Sequence, residues 1–179
     1  MKNYLDLDKM DKADARVIIA LDALKQLDMK KVVATNGTYL FTQNYIPNED
    51  KEFAEFIESE KTCQACALGT LFVSMAEKFD NVSCIAVYDR YKIFSSGDFQ
   101  IFSLTLGFIE EYLYKFFDRK QMAMIEAAFE GTWYVKGVQK DADLHRASLF
   151  NTRCGTHNAE FTLRRILWNI IDNNGTFIP

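Results

Sequence analysis

Lys61-Thr-Cys-Gln-Ala-Cys-Ala-Leu-Gly-Thr-Leu-Phe-Val-Ser-Met-Ala-Glu-Lys-Phe79 joins a C-x-x-C pair to a run of small residues and a helical apolar stripe. Leu68, Leu71, Phe72, Met75 and Phe79 recur at three- and four-residue intervals, which places them on one face of a helix facing a core. Thr62 reads as the N-cap. Cys63 then falls in the first turn, where the helix dipole and unpaired N–H groups lower a thiol pKa. The small side chains of Cys66, Ala67 and Gly69 let another element approach closely.

Working outward, the same period recurs on both sides. Val17, Ile18, Leu21, Leu24 and Leu27 form one stripe, and Phe53, Phe56 and Ile57 a shorter one. Phe102, Leu106, Ile109, Leu113 and Phe116 predict a long helix, and Met122, Ile125 and Phe129 another that Gly131 ends. Phe161, Leu163, Ile166, Leu167, Ile170 and Ile171 line the last helix, closed by the C-cap signal Asn174-Gly175. Phe177-Ile178 is expected to fold back onto the core. Residues 32–46 differ: they are β-branched and aromatic around Asn36-Gly37, which predicts a β-hairpin or an irregular extended element. Val82–Tyr88 suits a short strand or a buried segment, and 132–156 reads mostly as loop, with a helical turn within Lys140–Ala147. The expectation is a mainly α, compact single domain over residues 1–179, with about six helices, a small β element near residues 32–46 and a polar lead-in at 1–12.

Composition supports a packed domain. The chain has 179 residues, 49% hydrophobic and 14% aromatic, with 8 Gly and 2 Pro, which is the opposite of a disordered composition. A net charge of -4 argues against a nucleic-acid grip, which needs clustered Lys and Arg. No apolar run reaches the ~18 residues of a membrane span. Acidic residues stand where the apolar part of a secretory leader would lie, so the expected location is the cytosol, where disulfides are rare.

No complete catalytic motif is present. Cys63, Cys66, Cys154 and His157 form two knuckle-like pairs, the set a tetrahedral zinc uses. Cys63 is also the one candidate nucleophile, with His145 or His157 as the base it would need. Arg164 and Arg165 are an adjacent pair of guanidiniums suited to a phosphate or nucleotide. Trp133 and Tyr134 sit in the long loop, where binding residues concentrate. The expected binding region is therefore where the Cys63 helix start meets the 132–157 loop and the Arg164-Arg165 helix.

The Cys66-Ala-Leu-Gly-Thr-Leu-Phe72 helix start, Met124-Ile-Glu-Ala-Ala-Phe-Glu130 and the closing Ile166-x-x-Asn-Ile-Ile-Asp-Asn-Asn-Gly-Thr-Phe-Ile-Pro179 resemble small uncharacterised proteins of bacteriophages and their hosts. That resemblance implies an accessory factor in the host cytoplasm, without cofactor. Such a factor inhibits or sequesters a host defence protein or a small nucleotide signal, as a monomer or homodimer, and acts by binding rather than turnover. The alternatives are a cysteine-dependent enzyme using Cys63 and a zinc-stabilised structural module.

Overall fold

The computed structural model describes residues 4–44, 46–79, 82–88, 91–96, 99–104, 106–132, 141–150 and 158–179. Among them lie eight α-helices, two small sheets and one 3-10 turn: a mainly helical fold with a small β element, as the periodicity predicts. In chain order the elements are α1 (Lys12–Asp28), β1 (Val32–Ala34), β2 (Leu40–Thr42), α2 (Phe53–Ser59), β3 (Cys63–Ala65), α3 (Ala67–Lys78) and α4 (Cys84–Tyr88). They continue as β4 (Tyr91–Ser96), β5 (Phe99–Leu104), α5 (Leu106–Leu113), α6 (Arg119–Glu130), α7 (Ala142–Ser148) and α8 (Ala159–Asp172). No helix among the described residues is long and apolar enough to cross a membrane.

Helix α3 is the centre of the core. Every residue from Ala67 to Ala76 is buried, so it packs on all sides rather than along one stripe. The Phe72 ring meets Phe53 at 5.7 Å, and Phe108 and Tyr112 both at 5.8 Å, which ties α2 and α5 to α3. Helix α1 packs against α3 and α8, but through a face different from the expected one. Ala15, Ile19, Ala20, Ala23, Leu24 and Leu27 are buried, whereas Leu21 is exposed and Val17 and Ile18 are half-buried. The alanines let two helices approach at once, so contact with both neighbours rotates the buried face away from the larger aliphatics. Asp22 is buried on the same helix and meets Lys78 of α3 at 2.8 Å, which supplies the countercharge it needs.

The predicted hairpin at residues 32–46 is present as strands but not as a pair. β3 lies between β1 and β2, parallel to β1 (Val32↔Cys63, Ala34↔Ala65) and antiparallel to β2 (Leu40↔Ala65, Thr42↔Cys63). Asn36-Gly37 still makes the turn, with Gly37 at φ 74, but the turn spans a third strand. The long helix expected to include Phe102 begins only at Leu106, because Phe99–Leu104 pairs as β5 with β4, Tyr91↔Leu104 through Ser96↔Phe99. Of the two readings of Val82–Tyr88 the buried segment holds and the strand does not: Val82, Cys84 and Val87 are buried, and Cys84–Tyr88 forms the short helix α4.

The two ends of α6 follow their sequence signals. Asp118 caps α6 by accepting from Gln121 N at 2.8 Å, and Gly131 ends it in the left-handed region. In α8, Leu163, Ile166, Leu167 and Ile170 are buried, but Phe161 points out and Ile171 is only half-buried. Past Asn174-Gly175 the chain turns back. Phe177 is buried as expected, while Ile178 remains exposed.

Candidate functional site: an acidic cleft between the first turn and the sixth helix

The expected reactive thiol is not at a helix start. Cys63 lies in β3, and the N-cap of α3 is Cys66 rather than Thr62. Thr62 instead donates its hydroxyl to the Lys30 carbonyl at 2.8 Å. The reason is tertiary: Cys63 is hydrogen-bonded as a strand residue on both sides, which overrides the local capping signal. Burial, helped by Glu60, pushes the Cys63 thiol up to about 12, and its Sγ donates to the Lys31 carbonyl at 3.3 Å. Burial likewise pushes Cys66 up to about 12. Both are protonated at neutral pH, the reverse of an activated nucleophile. His145 is exposed on α7.

The remaining expected residues are scattered. Arg164 is held by Asp28 at 2.7 Å and Glu160 at 2.9 Å, so it ties α8 to the end of α1. Arg165 lies over the Phe150 ring at 5.1 Å. The guanidinium pair is thus divided between two structural tasks. Trp133, Tyr134, Cys154 and His157 lie outside the described residues, and with them the second half of the zinc set. Among the described residues no group of three or more His, Cys, Asp or Glu side chains stands close enough to hold a metal ion.

A different constellation does converge. The turn from Gly37 to Tyr39 faces Glu126, Glu130 and Thr132 at the end of α6 across a cleft of about 340 Å³, with Cys66 also on its wall. Three features hold the turn in place. Asn36 donates its side-chain amide to the Phe129 carbonyl at 3.2 Å, Cys66 N donates to the Thr38 carbonyl at 2.7 Å, and Thr35 N donates to the Ala65 carbonyl at 2.9 Å. Gly69 permits the approach, because a Cβ there would run into the Tyr39 carbonyl. The small residue at the start of α3 therefore does admit a close neighbour, and that neighbour is backbone of the turn.

Across the cleft, the Tyr39 hydroxyl donates to Glu126 Oε1 at 2.5 Å, and Gly37 N donates to Glu130 at 3.1 and 3.2 Å to its two oxygens. Burial raises the Glu126 carboxyl above its ordinary range. Glu110 and Glu130 push the same way, and the Tyr39 hydroxyl pulls against them. The Tyr39 phenol is raised by burial and by the carboxylate beside it. A concave site with a few convergent polar groups and shifted acids is the usual form of a ligand site. Its chemistry is that of a hydrogen-bond acceptor: among the described residues, two carboxylates line the cleft and no imidazole does. The sequence carried one signal for it. Glu126 and Glu130 are four apart on one helix, a like-charge spacing that costs helix stability unless something compensates.

No protein-family model, curated protein or solved structure matches the chain.

Proposed function

We propose that the protein acts by binding without turnover, and that the Tyr39–Glu126–Glu130 cleft receives a Lys or Arg side chain of a protein partner. The observation carrying this reading is the convergence of two half-buried carboxylates on a cleft opposite the Gly37–Tyr39 turn. Arg recognition by carboxylates is charge-assisted and bidentate, which gives both energy and orientation. The same charges disfavour a nucleotide, whose phosphates would meet Glu126 and Glu130 at short range. Of the two target classes that the phage-protein resemblance implies, the acidic lining of the cleft supports a host protein over a nucleotide signal. The buried, protonated state of Cys63 and Cys66 argues against a cysteine-dependent enzyme.

The test is capture from a bacterial lysate with the wild-type chain and with Glu126→Gln/Glu130→Gln, alongside mass spectrometry of co-purifying nucleotides. Wild type is expected to capture a protein partner. The double variant should hold it at least about tenfold more weakly, the loss of one charge-assisted contact. Equal capture by both chains, or a nucleotide bound at one per chain, overturns the proposal.

A further inference from the structure

After α8 the chain reverses at Asn174 (φ 50) and Gly175 (φ 83) and runs back as a short segment, Thr176 to Pro179. Two side-chain amides hold it, each by a pair of main-chain bonds. Gln121 of α6 accepts from Phe177 N at 2.7 Å and donates to the Phe177 carbonyl at 3.2 Å. Asn169 of α8 accepts from Ile178 N at 2.8 Å and donates to the Ile178 carbonyl at 2.8 Å. Successive residues of an extended chain point their N–H and C=O groups to opposite sides. The two amides therefore grip an extended backbone from its two flanks, one from each helix.

This arrangement reads main chain rather than side chains, and specificity enters at one place. Phe177 is 1% exposed and meets the Phe150 ring edge-on at 5.3 Å, whereas Ile178 is 54% exposed. Beside the segment an open cleft of about 470 Å³ continues along Gln121, Met124, Asp143 and Arg146. Main-chain bonds for affinity with a side-chain pocket for selectivity is how extended peptides are recognised. We propose that the groove between α6 and α8 is a binding site for an extended peptide carrying an aromatic residue, and that residues 176–179 occupy it in cis. The Gln121 and Asn169 amides make the same four bonds to any such peptide. The tethered segment competes at the high effective concentration of an intramolecular ligand and keeps the groove filled until a partner displaces it.

Gly175 is the lever for a test. Its positive φ, and the Ala13 backbone against which a Cβ there would press, make the return turn available only to glycine. Gly175→Ala in the full chain disfavours the turn and frees the groove, with circular dichroism reporting that the helices remain. The probe is a fluorescein-labelled peptide copying residues 173–179, read by anisotropy. Gly175→Ala is expected to bind it at least about tenfold more tightly than wild type. Adding Gln121→Ala, or replacing the peptide's Phe with Ala, should abolish the gain. Equal binding by wild type and Gly175→Ala, or equal binding of the Phe and Ala peptides, overturns the proposal. So does a dimer seen by light scattering without peptide, which would make a second copy the occupant. Hydrogen exchange on the unaltered protein decides the matter if Gly175→Ala does not fold. The Phe177 and Ile178 amides should exchange about a hundredfold or more faster than that of Ile170 in α8, because the segment opens locally. Exchange at the Ile170 rate means that the segment leaves only when the whole chain unfolds, and overturns the proposal.

Discussion

Gly69→Ala sets two physical effects against each other at the start of the central helix. Propensity alone favours the change, since Ala is better than Gly inside a helix by up to about 1 kcal/mol. Packing opposes it. A Cβ at residue 69 would run into the Tyr39 carbonyl oxygen, and the next nearest atom is the carbonyl carbon of the same residue at 2.7 Å. These are backbone atoms, so no rotamer change relieves the contact. They are also held from both sides, because Cys66 N is bonded to the Thr38 carbonyl at 2.7 Å and Leu40 is paired with Ala65 in the sheet. Either the turn or α3 has to move. Overpacking of this kind costs about 3 kcal/mol at the upper end of its usual range, and the propensity gain offsets about 1 of it. The net loss of about 2 kcal/mol lowers the unfolding midpoint of a chain this size by about 4–8 °C, measured by calorimetry or by circular dichroism at 222 nm. The same movement draws Tyr39 away from Glu126, so partner capture through the cleft should weaken in the same variant. A midpoint equal to or above that of wild type refutes the close approach of the turn to α3, and with it the geometry assigned to the cleft.

Two further expectations concern titrating groups. Cys63 and Cys66, with thiols held up at about 12, should resist iodoacetamide in the folded protein at about pH 7.5 and react only after unfolding. Peptide mass spectrometry that finds Cys63 alkylated at the rate of a free cysteine would restore the nucleophile reading. Glu126 behaves in the opposite sense to a salt-bridged acid. Because burial raises its folded pKa, the folded chain binds that proton more tightly than the unfolded chain, and ionised Glu126 works against the fold above that range. The groups that set the effect are Tyr39 and Glu130 around the cleft and Glu110 of α5. Glu126→Gln should therefore be more stable than wild type at about pH 7.5, with the gap closing as pH falls towards about 4. Denaturation midpoints showing a constant or widening gap at low pH would contradict this.

The helices were readable where one apolar face meets one core. Phe53, Phe56 and Ile57 of α2 and Met122, Ile125 and Phe129 of α6 are buried as their spacing predicts. Reading failed where an element answers to more than one neighbour. On α1 the stripe of larger aliphatics leaves out the alanines, whose small size lets them face both α3 and α8. Cys63-Gln-Ala65 has no β-branched residue and looks like the lead into a helix; it is a strand because β1 and β2 offer hydrogen bonds on both of its edges. Phe102 fitted a helical period shared with Leu106 and Ile109, and pairing with β4 decided otherwise. In each case the missing information is a partner distant in sequence, which periodicity does not carry.

The cleft was hidden for a related reason, and the same reason gives it meaning. Glu126 and Glu130 read as ordinary solvated acids until the turn at Gly37–Tyr39 is brought over them. Each ionised carboxylate offers about four acceptor positions. The contacts across the cleft supply the Tyr39 hydroxyl to one and the single Gly37 N–H, shared between both oxygens, to the other. Two carboxylates four residues apart on one helix, with burial raising Glu126 above its ordinary range, work against the folded chain. A ligand rich in N–H donors and positive charge relieves that cost on binding, so the unfavourable charge pair in the free protein becomes part of its affinity for such a ligand. An anion adds to the cost instead. The direction of that difference, more than the shape of the cleft, is why we propose a basic side chain rather than a nucleotide as its ligand.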